Sequence, residues 1–200
     1  MDAPSSIGHS ATISAPHMHA YAVESLASKL VPGSKVLDVG SGSGYLLPVF
    51  ARLVGPSGLV VGIEHIPQLV DWSDENVRKH HADLLDSGRV LLRVGDGFEG
   101  YPNAGAYDAI HVGAAAPELP PALLAQLKTG GEIVCPVGRF SQQLVKGTRV
   151  REASGTDSGV EVKSLMGVMY VPLTQREKQD PEGMAAASGQ PAQGQSTGGW

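Results

Sequence analysis

The stretch Val36-Leu37-Asp38-Val39-Gly40-Ser41-Gly42-Ser43-Gly44-Tyr45 decides the fold, because an apolar strand runs directly into glycines at three alternate positions. Glycine lacks a Cβ, so the chain can bend sharply there and bring the backbone N–H groups of a following helix close to a ligand. A strand, a glycine turn and a helix in succession form the nucleotide-binding turn of a doubly wound α/β domain. The spacing narrows the ligand. A dinucleotide fingerprint beginning at Gly40 needs a third glycine where Tyr45 stands, and one beginning at Gly42 needs it at Leu47. Both frames fail, which makes a nicotinamide dinucleotide the least favoured ligand.

Outward from this turn the chain alternates strand and helix. Residues 35–39 form a strand, and Leu46, Val49, Phe50 and Leu53 give the next helix an apolar face before Gly55-Pro56 stops it. Residues 59–64 are nearly all apolar and read as a strand covered on both faces. A helix over 67–80, a strand over 89–94, a strand over 107–112, a short helix over 119–127 and a strand over 133–137 follow. Upstream, Ser14-Ala15-Pro16 precedes apolar positions at Met18, Ala22, Val23 and Leu26, which predicts an amphipathic helix with Ser14 as its N-cap. This alternation calls for a mainly parallel sheet with right-handed crossovers. Residues 143–150 and 160–171, joined by a polar, glycine-bearing segment, predict an antiparallel hairpin and a sheet of about seven strands whose last pair is antiparallel.

At 200 residues and 42% hydrophobic composition the chain supports one buried core, placed at 1–179. Beyond residue 175 the sequence turns to Gln, Gly, Ala, Ser and Pro, so 180–200 is expected to be a disordered tail. A net charge of -5 without any block of Lys or Arg is not the electrostatic footprint of a nucleic-acid binder. The single cysteine, Cys135, lies in an apolar run and reads as a small buried hydrophobe. No run is long and apolar enough for a membrane span and the first residues do not resemble a leader, so a cytoplasmic monomer is expected.

In an open parallel sheet, ligands bind outside the carboxyl ends of the strands. Four of those ends bear suggestive residues: Asp38 to Gly44, Glu64-His65, Asp96-Gly97 and His111 to Ala116. Glu64 lies about twenty residues past the glycine turn, where a carboxylate can accept hydrogen bonds from both ribose hydroxyls of a nucleoside. Asp96 can accept from an adenine amine or close an ordinary Asx turn. His17 and His19 sit two apart on one helix and so face different ways, and no His or Cys spacing suits a metal. His17 and His19 read as solvated or core-satisfied, and Met166 and Met169 as packing residues.

The Asp-x-Gly-x-Gly-x-Gly pattern resembles the first motif of S-adenosylmethionine-dependent methyltransferases. Joined to Ala11-Thr12-Ile13-Ser14-Ala15-Pro16-His17-Met18-His19-Ala20, Val94-Gly95-Asp96-Gly97, Tyr107 to Pro117 and Tyr170-Val171-Pro172-Leu173-Thr174, it resembles the protein-L-isoaspartate (D-aspartate) O-methyltransferase family from Met1 to about Gln179. The resemblance implies a Rossmann-like α/β fold and transfer of a methyl group from S-adenosyl-L-methionine, leaving S-adenosyl-L-homocysteine. The acceptor it implies is the free carboxyl of L-isoaspartyl or D-aspartyl residues in damaged proteins and peptides. It makes Ser14 the catalytic residue and places Ala11, Thr12, Ile13, Ser14, His19, Val39, Gly40, Glu64, His65, Asp96, Gly97, Thr174 and Gln179 around the cofactor. Two departures stand out: the family carries a further helical segment upstream of the position of Met1, and a more glycine-rich loop where Gly138-Arg139-Phe140-Ser141-Gln142-Gln143 stands here. A methyltransferase with another acceptor, or a non-catalytic cofactor-binding adaptor, fits the same cofactor half.

Overall fold

The computed structural model describes residues 2–155 and 157–174. Their centre is a seven-stranded sheet built from β3 (Lys35–Val39), β4 (Leu59–Glu64), β5 (Val90–Val94), β6 (Tyr107–Val112), β7 (Leu127–Val137), β8 (Gln142–Arg149) and β9 (Val160–Val168). The spatial order is β5-β4-β3-β6-β7-β8-β9. The first five strands in that order pair in parallel, and β8 runs antiparallel to both its neighbours. The chain winds outward from β3 in one direction and then crosses to β6 on the other side, so the topological switch point lies between β3 and β6, at the end of the glycine turn.

Alternation along each central strand divides the core between two faces. Val36, Val60, Ala109 and Val134 pack on one side against α1 (Pro16–Leu26), α2 (Leu46–Leu53) and the end of α3 (Pro67–Asp86), through Leu26, Phe50, Leu47 and Leu84. Leu37, Val39, Val61, Ile63, Ile110 and Ile133 pack on the other side with Leu123 and Leu124 of α4 (Pro121–Ala125). Tyr107 is fully buried there, and its hydroxyl donates to the Tyr101 carbonyl at 2.6 Å. Burying side chains of this size stabilises by about 1.5–3 kcal/mol each, which is why the polar residues of β3, β4 and β6 stand near the strand ends, Lys35 and Asp108 at the amino side and Asp38, Glu64 and His111 at the carboxyl side.

Four expectations need correction. The N-cap of α1 is Ala15, and no side chain caps the helix; Ser14 lies one residue further out, with its hydroxyl turned to Tyr170. α3 extends to Asp86 across a kink at His81, because Leu84 still reaches the core and Arg78 binds both Asp74 and Asp86 at 2.7 Å. α4 is shorter and β7 longer than the sequence suggests, since Leu127 leaves the helix to become the strand partner of Tyr107. Met169 does not pack, being 95% exposed, and Met166, at 37%, is covered only in part.

The first residues also form more structure than the sequence discloses. β1 (Ser5–Gly8) and β2 (Ala11–Ile13) pair as a separate antiparallel hairpin. His9 and Ser10, at its tip, both take positive φ (50° and 54°), as a tight two-residue hairpin turn demands. The expected Asn-Gly or Asp-Gly signature is missing there, which is why the hairpin is hard to see in the sequence. At the opposite end, residues 171–173 turn back to the carboxyl end of β6, where Ala115 N–H donates to the Val171 carbonyl and Leu173 N–H to the Ala115 carbonyl, both at 2.8 Å. The expected tail over 180–200 lies outside the described residues.

Candidate functional site

The hairpin, the glycine turn and the returning C-terminal segment enclose the carboxyl ends of β3, β4 and β6. In the turn, Gly40, Gly42 and Gly44 take φ of 72°, 50° and 77°, a region costly for any side chain with a Cβ. Gly40 and Ser41 N–H groups donate to the Ile63 carbonyl at 2.9 and 3.0 Å, tying the turn to the end of β4. Ile7 of the hairpin reaches over it: a Cβ at Gly42 would lie 3.2 Å from the Ile7 Cδ1.

Two connected crevices follow. One is bordered by Ser14, His19, Asp38, Ser41, Tyr45 and His111. The other is bordered by Ala11, Glu64, His65, Gly97, Ala114 and Thr174. Ile7, Thr12, Gly40, Gly42 and Gly113 line both. Glu64 is buried, and its carboxylate accepts from three backbone N–H groups: His65 at 2.8 Å, Ile66 at 3.2 Å and Gly42 at 3.2 Å. The Asp38 carboxylate and His111 Nδ1, partners on neighbouring strands, meet at 2.7 Å deep in the molecule. His111 is therefore a core-satisfied histidine, and it borders the first crevice.

His19 and Ser41 mark a polar vacancy in the protein's own bonding. His19 Nε2 and Ser41 Oγ are buried without a hydrogen-bond partner, and both residues border the first crevice. Buried polar atoms in this condition cost free energy unless a ligand satisfies them. Burial holds the His19 imidazole below its ordinary pKa, with repulsion from His111 adding to the effect. A histidine with a lowered folded pKa binds fewer protons folded than unfolded, so its contribution to stability is complete above about 6.5 and declines as pH falls below that value. Thermal melts from pH 7.5 to 5.5 are expected to show a steeper fall in Tm for the native chain than for His19→Gln. Parallel slopes would show that His19 is not held neutral by its surroundings.

Of the residues singled out in the sequence, Ala11, Thr12, Ile13, Ser14, His19, Gly40, Glu64, His65, Gly97 and Thr174 border one or both crevices. Val39 does not: its side chain is fully buried and its carbonyl accepts from Gly113 N–H. Asp96 closes an Asx turn, its carboxylate accepting from Phe98 N–H at 2.8 Å. Gln179 lies outside the described residues. Ile7 and Tyr170 escaped the sequence reading, the first because the hairpin was not foreseen. Tyr170 hydrogen-bonds the Ser14 hydroxyl, and burial holds its phenol above its ordinary pKa, with Ser14 partly offsetting the shift. His17 points away from both crevices and pairs with Asp2 at 2.8 Å, as the spacing of two from His19 requires. Cys135 is buried, and burial pushes its thiol up to about 12, so it is chemically inert.

Comparison with known proteins fits this geometry. The family model for protein-L-isoaspartate(D-aspartate) O-methyltransferase (PCMT) matches residues 1–178. A protein-L-isoaspartate O-methyltransferase of Triticum aestivum is 54% identical over 179 residues, which cover 89% of this chain and 76% of that protein. One from Caenorhabditis elegans is 49% identical, with 89% and 77% covered. Among solved structures, one assigned to the Plasmodium falciparum enzyme, in complex with S-adenosyl-L-homocysteine, superposes with a TM-score of 0.80 at 34% identity, covering 88% of this chain and 81% of that one. With every described residue inside a single family match, and a relative 54% identical over 89% of the chain, the chain belongs to the protein-L-isoaspartate(D-aspartate) O-methyltransferase family.

Proposed function

We propose that this protein transfers the methyl group of S-adenosyl-L-methionine to the free carboxyl of L-isoaspartyl, and D-aspartyl, residues in damaged proteins and peptides. The observation that supports this most directly is the position of Ser14. It stands where the polar crevices under the hairpin meet an apolar groove opening outward past Met18 and Tyr170, so one residue adjoins both a cofactor cleft and a surface able to take a polypeptide.

The residues present fit the cofactor. When bound, S-adenosylmethionine supplies a methyl group activated by a positively charged sulfur. His19 Nε2 and Ser41 Oγ offer unsatisfied polar atoms in the crevice floored by Asp38 and His111, which suits the amino-acid end. Glu64 presents a carboxylate to the second crevice, where it suits a ribose, while Gly97 and Thr174 border the remainder. Val39, Asp96 and Gln179 belong to the same proposed set, the first two as backbone and turn that hold the crevice walls.

The chemistry asks little of acids or bases. An acceptor carboxylate is already ionised at neutral pH, so no residue has to remove a proton from it. What the chain must supply is alignment of the carboxylate oxygen with the transferred carbon, an effect worth up to about 7–11 kcal/mol. Ser14, in hydrogen-bond contact with Tyr170, would turn its one hydroxyl proton to the carboxylate and fix its direction, while the Tyr170 hydroxyl donates to Ser14 Oγ in exchange. The hairpin bearing Ile7 would keep water from the site, which favours a step in which opposite charges neutralise one another.

The chain's negative balance and lack of basic blocks support action on polypeptides rather than nucleic acid, and a cytoplasmic monomer belongs to the same proposal. Methyl transfer from labelled cofactor to an isoaspartyl peptide, with the same peptide containing ordinary aspartate as control, is the deciding measurement. Transfer to the isoaspartyl peptide alone is expected. Equal labelling of both peptides, or none, would overturn the assignment.

A further inference from the structure

Outside the cofactor crevices lies an open groove of about 650 Å³, bordered by Ser14, Ala15, Met18, Met166, Met169 and Tyr170. Its lip is unusual for a monomer surface. Met169 is 95% exposed and Met166 37% exposed, although both lie in a segment whose neighbour Leu173 is buried in the core. Large apolar side chains grouped at the mouth of a site mark a surface kept for a partner. Methionine in particular adapts its unbranched, polarisable side chain to many partners.

The backbone beside these methionines is shaped for an extended chain. β9, which contains Met166, is the last strand of the sheet, and among the described residues it pairs only with β8, leaving its other edge open. An open edge is a ready template for another strand. Past the end of β9 the lip is held in place by Gln142. Its side-chain amide donates to the Tyr170 carbonyl at 3.0 Å and accepts from Tyr170 N–H at 2.6 Å. Met169 is thus presented on a fixed segment, one residue from the tyrosine that orients Ser14.

We propose that this groove reads the residues flanking the damaged site: the substrate lies extended along the Met166–Tyr170 lip with its carboxyl at Ser14, and Met166 and Met169 select an apolar neighbour. The occupant follows from continuity, since a peptide whose carboxyl reaches Ser14 must leave the site over the residues that border both spaces. Among the described residues the groove is lined by no Lys, Arg, Asp or Glu; its ionisable side chains are His17, already paired with Asp2, and the neutral phenol of Tyr170, so nothing along the lip favours a charged neighbour. The inference rests on the isoaspartyl methyltransferase reading and gives it a substrate preference.

The experiment measures kcat and KM for isoaspartyl peptides that differ only in one flanking residue, Leu, Ser, Lys or Glu, placed on either side of the isoaspartate. With the native chain, KM for the Leu peptide is expected to be at least fivefold below that for the Lys peptide on one side, with kcat little changed. Met169→Glu, at an exposed position where folding is not at stake, is expected to raise KM for the Leu peptide about tenfold and lower it for the Lys peptide. That reversal is something a merely structural methionine would not produce. Equal KM values across the native series, or the same order of preference in Met169→Glu, would overturn the inference while leaving the parent activity intact. Absence of methyl transfer to every isoaspartyl peptide would instead remove the parent reading, and the preference with it.

Discussion

Glu64→Ala is expected to raise the Kd of S-adenosylhomocysteine by two orders of magnitude or more. Two hydrogen bonds from ribose hydroxyls to a charged acceptor are worth at least about 1.5 kcal/mol each, and every 1.4 kcal/mol is tenfold in affinity. The structure adds a second cost, because the same carboxylate satisfies the N–H groups of Gly42, His65 and Ile66 and so joins the glycine turn to the entry of α3. Removing it leaves buried donors unpaired, and Tm should fall as well. Glu64→Gln separates the two effects. It keeps the shape and one acceptor oxygen, so it should retain most of the stability while losing about tenfold in affinity. Calorimetric titration of the two variants beside thermal melts is the measurement. Native affinity in a folded Glu64→Ala protein would show that Glu64 only supports the turn and that the ribose is held elsewhere.

This dual use of Glu64 shows what a sequence discloses and what it hides. Its place at the end of an apolar strand, about twenty residues beyond a glycine turn, is visible because strand periodicity and turn chemistry are local. The boundaries of β3, β4 and β6 agree residue for residue with the sequence reading for the same reason: each is an apolar run closed by glycine or a polar end. The bonds from Glu64 back to Gly42 are not visible, since they depend on how two strand ends lie side by side.

Other misses have the same origin. The β1–β2 hairpin turns through His9 and Ser10 without an Asn-Gly or Asp-Gly signature, and its Ile7 lies over Gly42, a neighbourhood between distant parts of the chain that no local pattern shows. Ser14 reads as an N-cap because Ser before Pro and an amphipathic run is the usual signature. A competing partner, Tyr170, lies more than 150 residues away. Met166 of β9 and Met169 just past it read as packing because nothing local shows that β9 is the edge of the sheet.

The corrected position of Ser14 sharpens the test of its role. A serine that caps a helix costs about 1 kcal/mol of stability when changed to alanine, whereas Ser14 caps nothing, and Ser14→Ala forfeits one partly exposed hydrogen bond to Tyr170. Its effect on Tm should therefore be slight. Single-turnover methylation of an isoaspartyl peptide at saturating cofactor should nevertheless slow by roughly 10- to 100-fold, the loss of one hydrogen bond of about 1.5–3 kcal/mol to an ionised carboxylate. Cofactor affinity should hold, because the crevice atoms of His19, Ser41 and Glu64 are untouched. Tyr170→Phe provides the companion measurement: it leaves the Ser14 hydroxyl in place but removes the partner that aims it, so its rate should fall less than that of Ser14→Ala. If Ser14→Ala turns over at a near-native rate, the carboxylate must be held by backbone N–H groups near the start of α1, and the catalytic assignment moves from the side chain to the main chain around it.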